Sequence, residues 1–179
     1  MRNSPPLTFH SLRTKAVQIS LAGLALLSHS AMADVYDEVE RLIRNGQLER
    51  AAQISAGHLK QTPQDPQMRL LESRILEARG QAAEAIAQLE SMALEFPELP
   101  EPHNNLAVLY ARSGRIQEAL ESLNRALLAR PDYAVALENQ GDLHLLLALQ
   151  SYQQASRTAS ATASAARKAQ TIAPMLQQR

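Results

Sequence analysis

The sequence predicts an all-α fold, a right-handed α-solenoid of antiparallel helix pairs, and three observations lead to it. The 179 residues include no Trp, two Phe and four Tyr, whereas Ala and Leu are abundant, and this composition favours helix. Apolar residues recur at spacings of three and four, as in Leu106, Leu109 and Tyr110, which is the pattern of a helix with one buried face. Three kinds of residue also recur at one fixed interval, which indicates stacked structural repeats.

That interval is 34 residues, and it is kept by a glycine, an alanine and a proline. The nine positions are Gly46, Gly80 and Gly114, then Ala51, Ala85 and Ala119, then Pro63, Pro97 and Pro131. Because three independent markers keep one register over three copies, we interpret them as an internal repeat rather than as an accident of composition.

Each marker has a physical role in a pair of helices. The glycine ends the first helix in a left-handed turn, where a side chain would clash. The alanine of the second helix faces the first helix, and its small side chain lets the two axes approach. The proline ends the second helix because it lacks an N–H donor. Asp34 and Asp65 are predicted N-caps, and Pro66 suits a first helical position.

Helix pairs with this period resemble the tetratricopeptide repeat family. The match is clearest in residues 100–133, where the motif positions are occupied by Leu106, Ala107, Tyr110, Gly114, Ala119, Leu123, Ala126 and Pro131, with His103 at the usual Trp. Residues 66–99 match mainly in their second half. Residues 34–65 keep the three markers but place Ser55 and His58 at positions where a larger apolar residue and Ala are usual, which fits an N-terminal cap.

The first 33 residues have the layout of a secretory signal peptide. A basic start is followed by a short apolar run over residues 16–27 and by Ala31 and Ala33 in an A-x-A arrangement. We expect cleavage after Ala33, a mature chain that begins at Asp34, and a periplasmic location. The alternative is an uncleaved membrane anchor, although an apolar run of about 12 residues is shorter than the roughly 20 that span a bilayer.

A fourth unit begins at Ala134 and then departs from the pattern. Ala148 stands where the turn glycine is expected, and Ala165 stands where the proline is expected. We therefore predict either a shortened turn or one continuous helix from Ala134. The array is predicted to occupy residues 34–148, and residues 149–179 to form an Ala/Ser/Thr-rich capping helix or a flexible tail, with helix favoured to about residue 171.

Several function classes have no support in the sequence. The absence of cysteine excludes disulfides, thiolate metal sites and cysteine nucleophiles. Residues 34–142 carry 11 basic and 18 acidic residues, a net charge of −7, which gives no electrostatic reason to bind nucleic acid. Neither metal-ligand spacing nor a catalytic or nucleotide-binding motif occurs, and His58, His103 and His144 fall at packing positions. We expect a non-enzymatic protein with no catalytic residue, cofactor, metal or small-molecule substrate.

The resemblance implies that the first helix of each pair lines a concave groove that holds a protein or peptide partner. The candidate binding residues on these helices are Tyr36, Arg74, Asn104, Asn105, Arg112 and Asn139. Asn105 and Asn139 are one period apart, and their amides either hold the backbone of an extended peptide or bond to the neighbouring helix and fix repeat stacking. Arg74 and Arg112 either pair with an acidic group or are solvated.

Two functions follow from this surface. The first is an adaptor of the bacterial cell envelope that binds a partner protein or extended peptide in the groove and has no stable membrane span after signal cleavage. The second is a structural subunit that self-assembles or stabilises a complex through its convex face and C-terminal helix, with homo-oligomers possible. Analytical ultracentrifugation of the mature chain separates the two.

Overall fold

Helices follow one another along the whole described chain, which in this computed structural model comprises residues 35–158 and 160–176. Residues 35–44 are helical (α1). The later helices are α2 (Leu48–Leu59), α3 (Pro66–Ala78), α4 (Ala82–Glu95), α5 (Pro100–Arg112), α6 (Ile116–Ala129), α7 (Ala134–Ser156) and α8 (Ala163–Ile172), and a 3₁₀ helix, Ala173–Leu176, follows. No strand occurs among these residues, so the all-α class is confirmed. The predicted signal peptide, its cleavage site and the Asp34 cap lie outside the described residues.

The three repeat glycines form equivalent corners between helices. Their φ angles are 70° at Gly46, 78° at Gly80 and 74° at Gly114, as predicted. At each corner the residue after the glycine donates its backbone N–H to a carbonyl five positions earlier, at 2.9, 2.9 and 2.8 Å for Gln47, Gln81 and Arg115. This bond satisfies a carbonyl at the end of the preceding helix and reverses the chain direction.

The repeat alanines lie in the interior of the helix array. Ala51, Ala85 and Ala119 are fully buried, as predicted. One core cluster runs through α4, α5, α6 and α7 and includes Leu89, Leu106 and Leu123. Each helix from α2 to α8 packs against its sequence neighbours, and α5 also contacts α7. Successive first helices therefore lie side by side, which places the predicted binding residues on one surface.

Helix α3 begins with a side-chain cap. The carboxylate of Asp65 accepts a hydrogen bond from the backbone N–H of Met68 at 3.1 Å, and Pro66 is the first helical residue, as predicted. This bond satisfies one of the N–H groups that a helix leaves unpaired at its beginning.

The fourth unit adopts one of its two predicted alternatives, a single continuous helix of 23 residues. The predicted boundary at residue 148 falls inside this helix, because Ala148 has no need of a left-handed corner. The helical structure is then interrupted between Ser156 and Ala163. Side-chain hydroxyl groups compete there for backbone hydrogen bonds, since Thr158 Oγ1 donates to the carbonyl of Ala155 at 2.9 Å. Helix α8 restarts after Thr162 and packs on α7.

Within residues 35–158 and 160–176, no helix combines the length and the apolar character that crossing a bilayer requires.

Candidate functional site

Two small clefts lie between successive first helices and together form a surface that we call the first-helix groove. The cleft between α3 and α5 has a volume of about 170 Å³ and is lined by residues that include Arg74, Asn105 and Val108. The cleft between α5 and α7 has a volume of about 130 Å³, and Val108, Arg112 and Asn139 are part of its lining. Because Val108 belongs to both clefts, the two are adjacent. The structure thus brings four of the six predicted residues onto one surface.

The groove arginines are paired across neighbouring first helices. Arg74 Nη1 lies 3.3 Å from Glu40 Oε1 on α1, and Arg112 forms an ion pair with Glu77 on α3. Each arginine thereby links its helix to the preceding first helix. Half-exposed pairs of this kind stabilise a fold by only about 0–1 kcal/mol. A guanidinium has five N–H donors, so a carboxylate ligand could exchange with the glutamate at little cost.

Three asparagine side chains form a hydrogen-bonded chain between α5 and α7. Asn139 Nδ2 donates to Asn104 Oδ1 at 2.9 Å, and Asn104 Nδ2 donates to Asn105 Oδ1 at 3.5 Å. Asn104 is 5% exposed, so it lies behind the groove. The hydrogen bond of Asn139 joins α7 to α5, as expected if these amides fix the stacking of neighbouring repeats. The groups that a peptide backbone could engage are the NH₂ of Asn105 and the carbonyl of Asn139.

Tyr36 lies away from the two clefts, in a cluster where α1, α2 and α3 meet. Its hydroxyl donates to Asp65 Oδ2 at 2.5 Å, and the same carboxylate oxygen lies 2.6 Å from His58 Nε2. Burial and the hydrogen bond to Asp65 raise the pKa of Tyr36 to about 12. Burial disfavours the Asp65 carboxylate, but hydrogen bonds from Tyr36, Met68 and His58 outweigh it and hold the pKa of Asp65 below its usual range.

The three histidines among the described residues differ in environment. His103 is buried and His58 is half-buried against Asp65, but His144 is exposed on α7. The predicted packing role is therefore wrong for His144, whose side chain faces solvent. Among the described residues, no three His, Asp or Glu side chains are grouped so as to hold a metal ion.

A larger cleft, which sequence reasoning missed, lies on the opposite face of α5. We call it the second-helix cleft, because α4 and α6 form its walls; its volume is about 360 Å³. On α5 it is lined by His103, Leu106 and Tyr110, whose spacings of three and four place them on one helical stripe. The groove residues Asn105 and Arg112 occupy the opposite stripe. The signal available in the sequence was His103 at a position where a larger aromatic is usual.

The tyrosine of this cleft is held in place by two contacts. The Tyr110 hydroxyl donates to Glu90 Oε1 at 2.6 Å, and the Arg115 guanidinium lies over the ring at 4.2 Å from its centroid. Burial and the bond to Glu90 raise the pKa of Tyr110 to about 12, so the phenol remains protonated at neutral pH.

Comparisons with known proteins agree with this architecture. Residues 76–140 match the family model described as Tetratricopeptide repeat. The chain is 34% identical over 113 residues to the TPR repeat-containing protein YvcD of Bacillus subtilis (strain 168), a match that covers 63% of this chain and 20% of that protein. The solved structure of Naa15/Naa10 bound to HypK-THB resembles it with a TM-score of 0.58 and 18% identity, over 82% of this chain and 21% of that one. The α-solenoid fold is thus confirmed, and the chain spans about a fifth of the length of these proteins.

Proposed function

We propose that this chain, which resembles tetratricopeptide repeat proteins, is a non-enzymatic adaptor of the bacterial cell envelope that binds a partner protein through an extended segment. The segment lies in the first-helix groove. One observation supports this most strongly: Arg74, Asn105, Arg112 and Asn139 come from three different helices and line two adjacent clefts. The envelope location rests on the signal-peptide layout of residues 1–33.

The chemistry of the groove suits a peptide backbone better than a small substrate. An amide NH₂ and an amide carbonyl, from Asn105 and Asn139, match the alternating acceptors and donors of an extended chain. The arginines offer N–H donors to acidic side chains, while Val108 provides apolar contact between the clefts. These groups bind and orient but carry out no bond chemistry, so partner capture is proposed to proceed without catalysis.

The double substitution Asn105→Ala with Asn139→Ala tests the groove. We expect partner affinity to fall at least tenfold, because two or more hydrogen bonds to the segment are lost. The stability cost is expected to be about 1 kcal/mol, from the bond between Asn139 and Asn104. Crosslinking in intact cells with mass spectrometry identifies the partner, and its affinity is then measured with the purified chain.

A matched double variant, Asn45→Ala with Asn124→Ala, serves as the control. It removes the same number of amides from exposed positions outside the groove. Equal capture by the control and the groove variant, with both still folded by circular dichroism, would refute groove binding.

The structural alternative is favoured by two exposed leucines. Leu94 on α4 and Leu128 on α6 are one repeat period apart, and each is 85% exposed. Large apolar side chains at equivalent repeat positions suit contact with another protein surface. In analytical ultracentrifugation we expect the chain from Asp34 onward to sediment as a monomer. A stable oligomer that dissociates after Leu94→Ser with Leu128→Ser would favour self-assembly instead.

A further inference from the structure

The two clefts of the first-helix groove are each the size of one aliphatic side chain. Their volumes are about 170 Å³ between α3 and α5 and about 130 Å³ between α5 and α7. At on the order of 30 Å³ for each non-hydrogen atom, the share of a molecule in liquid water, this is room for about four to six atoms. A leucine side chain has four such atoms, whereas a phenylalanine side chain has seven and exceeds the smaller cleft.

The clefts occupy equivalent places in successive repeats, and each has an apolar lining. Leu89 of α4 lines the first cleft and Leu123 of α6 lines the second, one repeat period later in the sequence. Leu89 is 1% exposed and Leu123 is 0% exposed, so both lie deep. Half-buried Val108 of α5 lines both clefts and stands between them. Two aliphatic side chains of a bound segment would each cover apolar surface here.

The charges around the clefts favour uncharged side chains inside them. Arg74 lies 3.3 Å from Glu40, and Arg112 forms an ion pair with Glu77. The charged residues of the two linings are two basic and two acidic, Arg74, Arg112, Glu77 and Asp142, so their net charge is zero. A charged side chain that entered a cleft would lose its water without a net opposite charge to meet it, whereas an aliphatic one displaces no ion pair.

The spacing of the clefts selects the conformation of the bound segment. The clefts lie on either side of α5, so their centres are about one interhelical distance apart, about 8–10 Å for packed helices. In a β-strand, side chains on one face recur every second residue, at about 6.6 Å or about 13 Å. In a polyproline II helix they recur every third residue, at about 9.3 Å. The polyproline II spacing matches the clefts, and the strand spacings do not.

We propose that the first-helix groove recognises a polyproline II segment of the partner that carries leucine-sized aliphatic residues at positions i and i+3. One of these side chains enters each cleft, and the segment crosses α5 over Val108. Polyproline II has no internal hydrogen bonds, so its backbone groups are available to the amides of Asn105 and Asn139. This inference rests on the proposed function and adds to it the conformation and the sequence pattern of the partner.

Three short peptides test the spacing and the size. Acetyl-Ala-Leu-Pro-Pro-Leu-Ala-amide has the proposed spacing, and acetyl-Ala-Leu-Pro-Leu-Pro-Ala-amide has the same composition with its leucines two residues apart. The third peptide replaces both leucines of the first by phenylalanine. The prolines exclude a helical binding mode. Each peptide is titrated into ¹⁵N-labelled protein that begins at Asp34. We expect the first to shift the amides around Val108 and to bind about tenfold more tightly than either of the others.

The outcomes separate this inference from the proposed function. Equal affinity of the two leucine peptides, or shifts that lie away from Val108, would overturn the proposed pattern. Tighter binding of the phenylalanine peptide would overturn the assigned side-chain size. Neither result touches capture of the cellular partner, which the Asn105→Ala with Asn139→Ala variant tests independently.

Ala111→Leu tests the cleft between α5 and α7. Ala111 is half-buried and lines this cleft, so a leucine there occupies the space proposed for the second aliphatic residue. We expect about tenfold weaker binding of the first peptide and no remaining preference over its isomer. Ala87→Leu, at an exposed position on α4 outside both clefts, is the matched control and should bind as the wild type does. Thermal melting checks that both variants fold. Wild-type affinity in folded Ala111→Leu would exclude this cleft, and the peptide comparison on the wild type decides the proposal if that variant does not fold.

Discussion

Ala119→Arg is expected to abolish cooperative folding of the repeat array. Ala119 is 0% exposed and belongs to the core cluster that joins α4, α5, α6 and α7. A guanidinium at this position must either lose its water without a partner or force the helices apart. Leaving a charge buried and unpaired costs about 3–5 kcal/mol, and overpacking adds about 1–3 kcal/mol. Since a domain of this size has a total stability of about 5–15 kcal/mol, the substitution removes most of it.

Far-UV circular dichroism and urea unfolding check this result. Gln117→Arg is the matched control, because it introduces the same side chain on the same helix at an exposed position. We expect the control to stay within about 0.5 kcal/mol of the wild type, as surface substitutions usually do. Native helix content and an unchanged midpoint in Ala119→Arg would contradict the packing role assigned to the repeat alanine.

The fold was predictable because its determinants are local in the sequence. A glycine at a corner, an alanine at a helix contact and a proline after a helix each impose a constraint on their own backbone. Gly80 and Ala85 could therefore be assigned without knowledge of any distant residue, and the period placed the helices side by side. The positions of Arg74, Asn105, Arg112 and Asn139 on one surface follow from the same period.

The side-chain pairing could not be predicted in the same way. The period suggested Asn139 above Asn105, whereas the hydrogen bond of Asn139 runs to Asn104. Which of two consecutive residues meets the neighbouring helix depends on the crossing angle and axial shift of the helices, which the period leaves open. The second-helix cleft was not predicted for a related reason. Its lining comes from side chains of three helices, so no single residue, such as His103, indicates the cavity in the sequence.

The end of the array could also be predicted only in part from the sequence. Loss of the glycine at residue 148 predicted that the helix could continue, and α7 does so. The place where α7 ends depends instead on hydroxyl groups, such as that of Thr158, that compete for backbone hydrogen bonds. It also depends on the N-cap of α8, where the Thr162 side chain accepts a hydrogen bond from the backbone N–H of Ala165 at 3.2 Å. In a segment rich in Ser and Thr, many positions offer such bonds, so sequence alone does not select one.

The first repeat is stabilised by a hydrogen-bonded cluster around Asp65. Its second helix carries Ser55 and His58 where α4 carries Leu89 and Met92, so it buries less apolar surface against α3. The Asp65 carboxylate compensates by joining three helices, since it accepts from Tyr36 on α1, pairs with His58 on α2 and caps α3. Hydrogen bonds to a charged group contribute about 1.5–3 kcal/mol each, more than neutral ones.

Asp65→Ala should therefore destabilise the chain by about 3 kcal/mol, the combined loss of a helix cap and of hydrogen bonds to a buried carboxylate. The Asp65 side chain is 9% exposed, so the groups left behind stay shielded from water. Asp132→Ala, at an exposed position before α7, is the matched control and should change stability by no more than about 0.5 kcal/mol. Urea unfolding at pH 7 measures both, and equal values for the two variants would contradict the role of Asp65.

The pH dependence of the same carboxylate distinguishes charge from shape. The pKa of Asp65 is held below its usual value of 3.8, so the folded state keeps the carboxylate ionised where the unfolded chain takes up a proton. Its contribution is complete above pH 3.8 and is lost as the pH falls through the lower, folded pKa.

Asp65→Asn retains the shape and the capping oxygen without the charge. We expect it to be about 2 kcal/mol less stable than the wild type at pH 7 and the difference to narrow steadily below pH 3.8. A difference that stays constant from pH 7 to pH 2.5 would show that the cluster depends on shape and not on the ionised carboxylate.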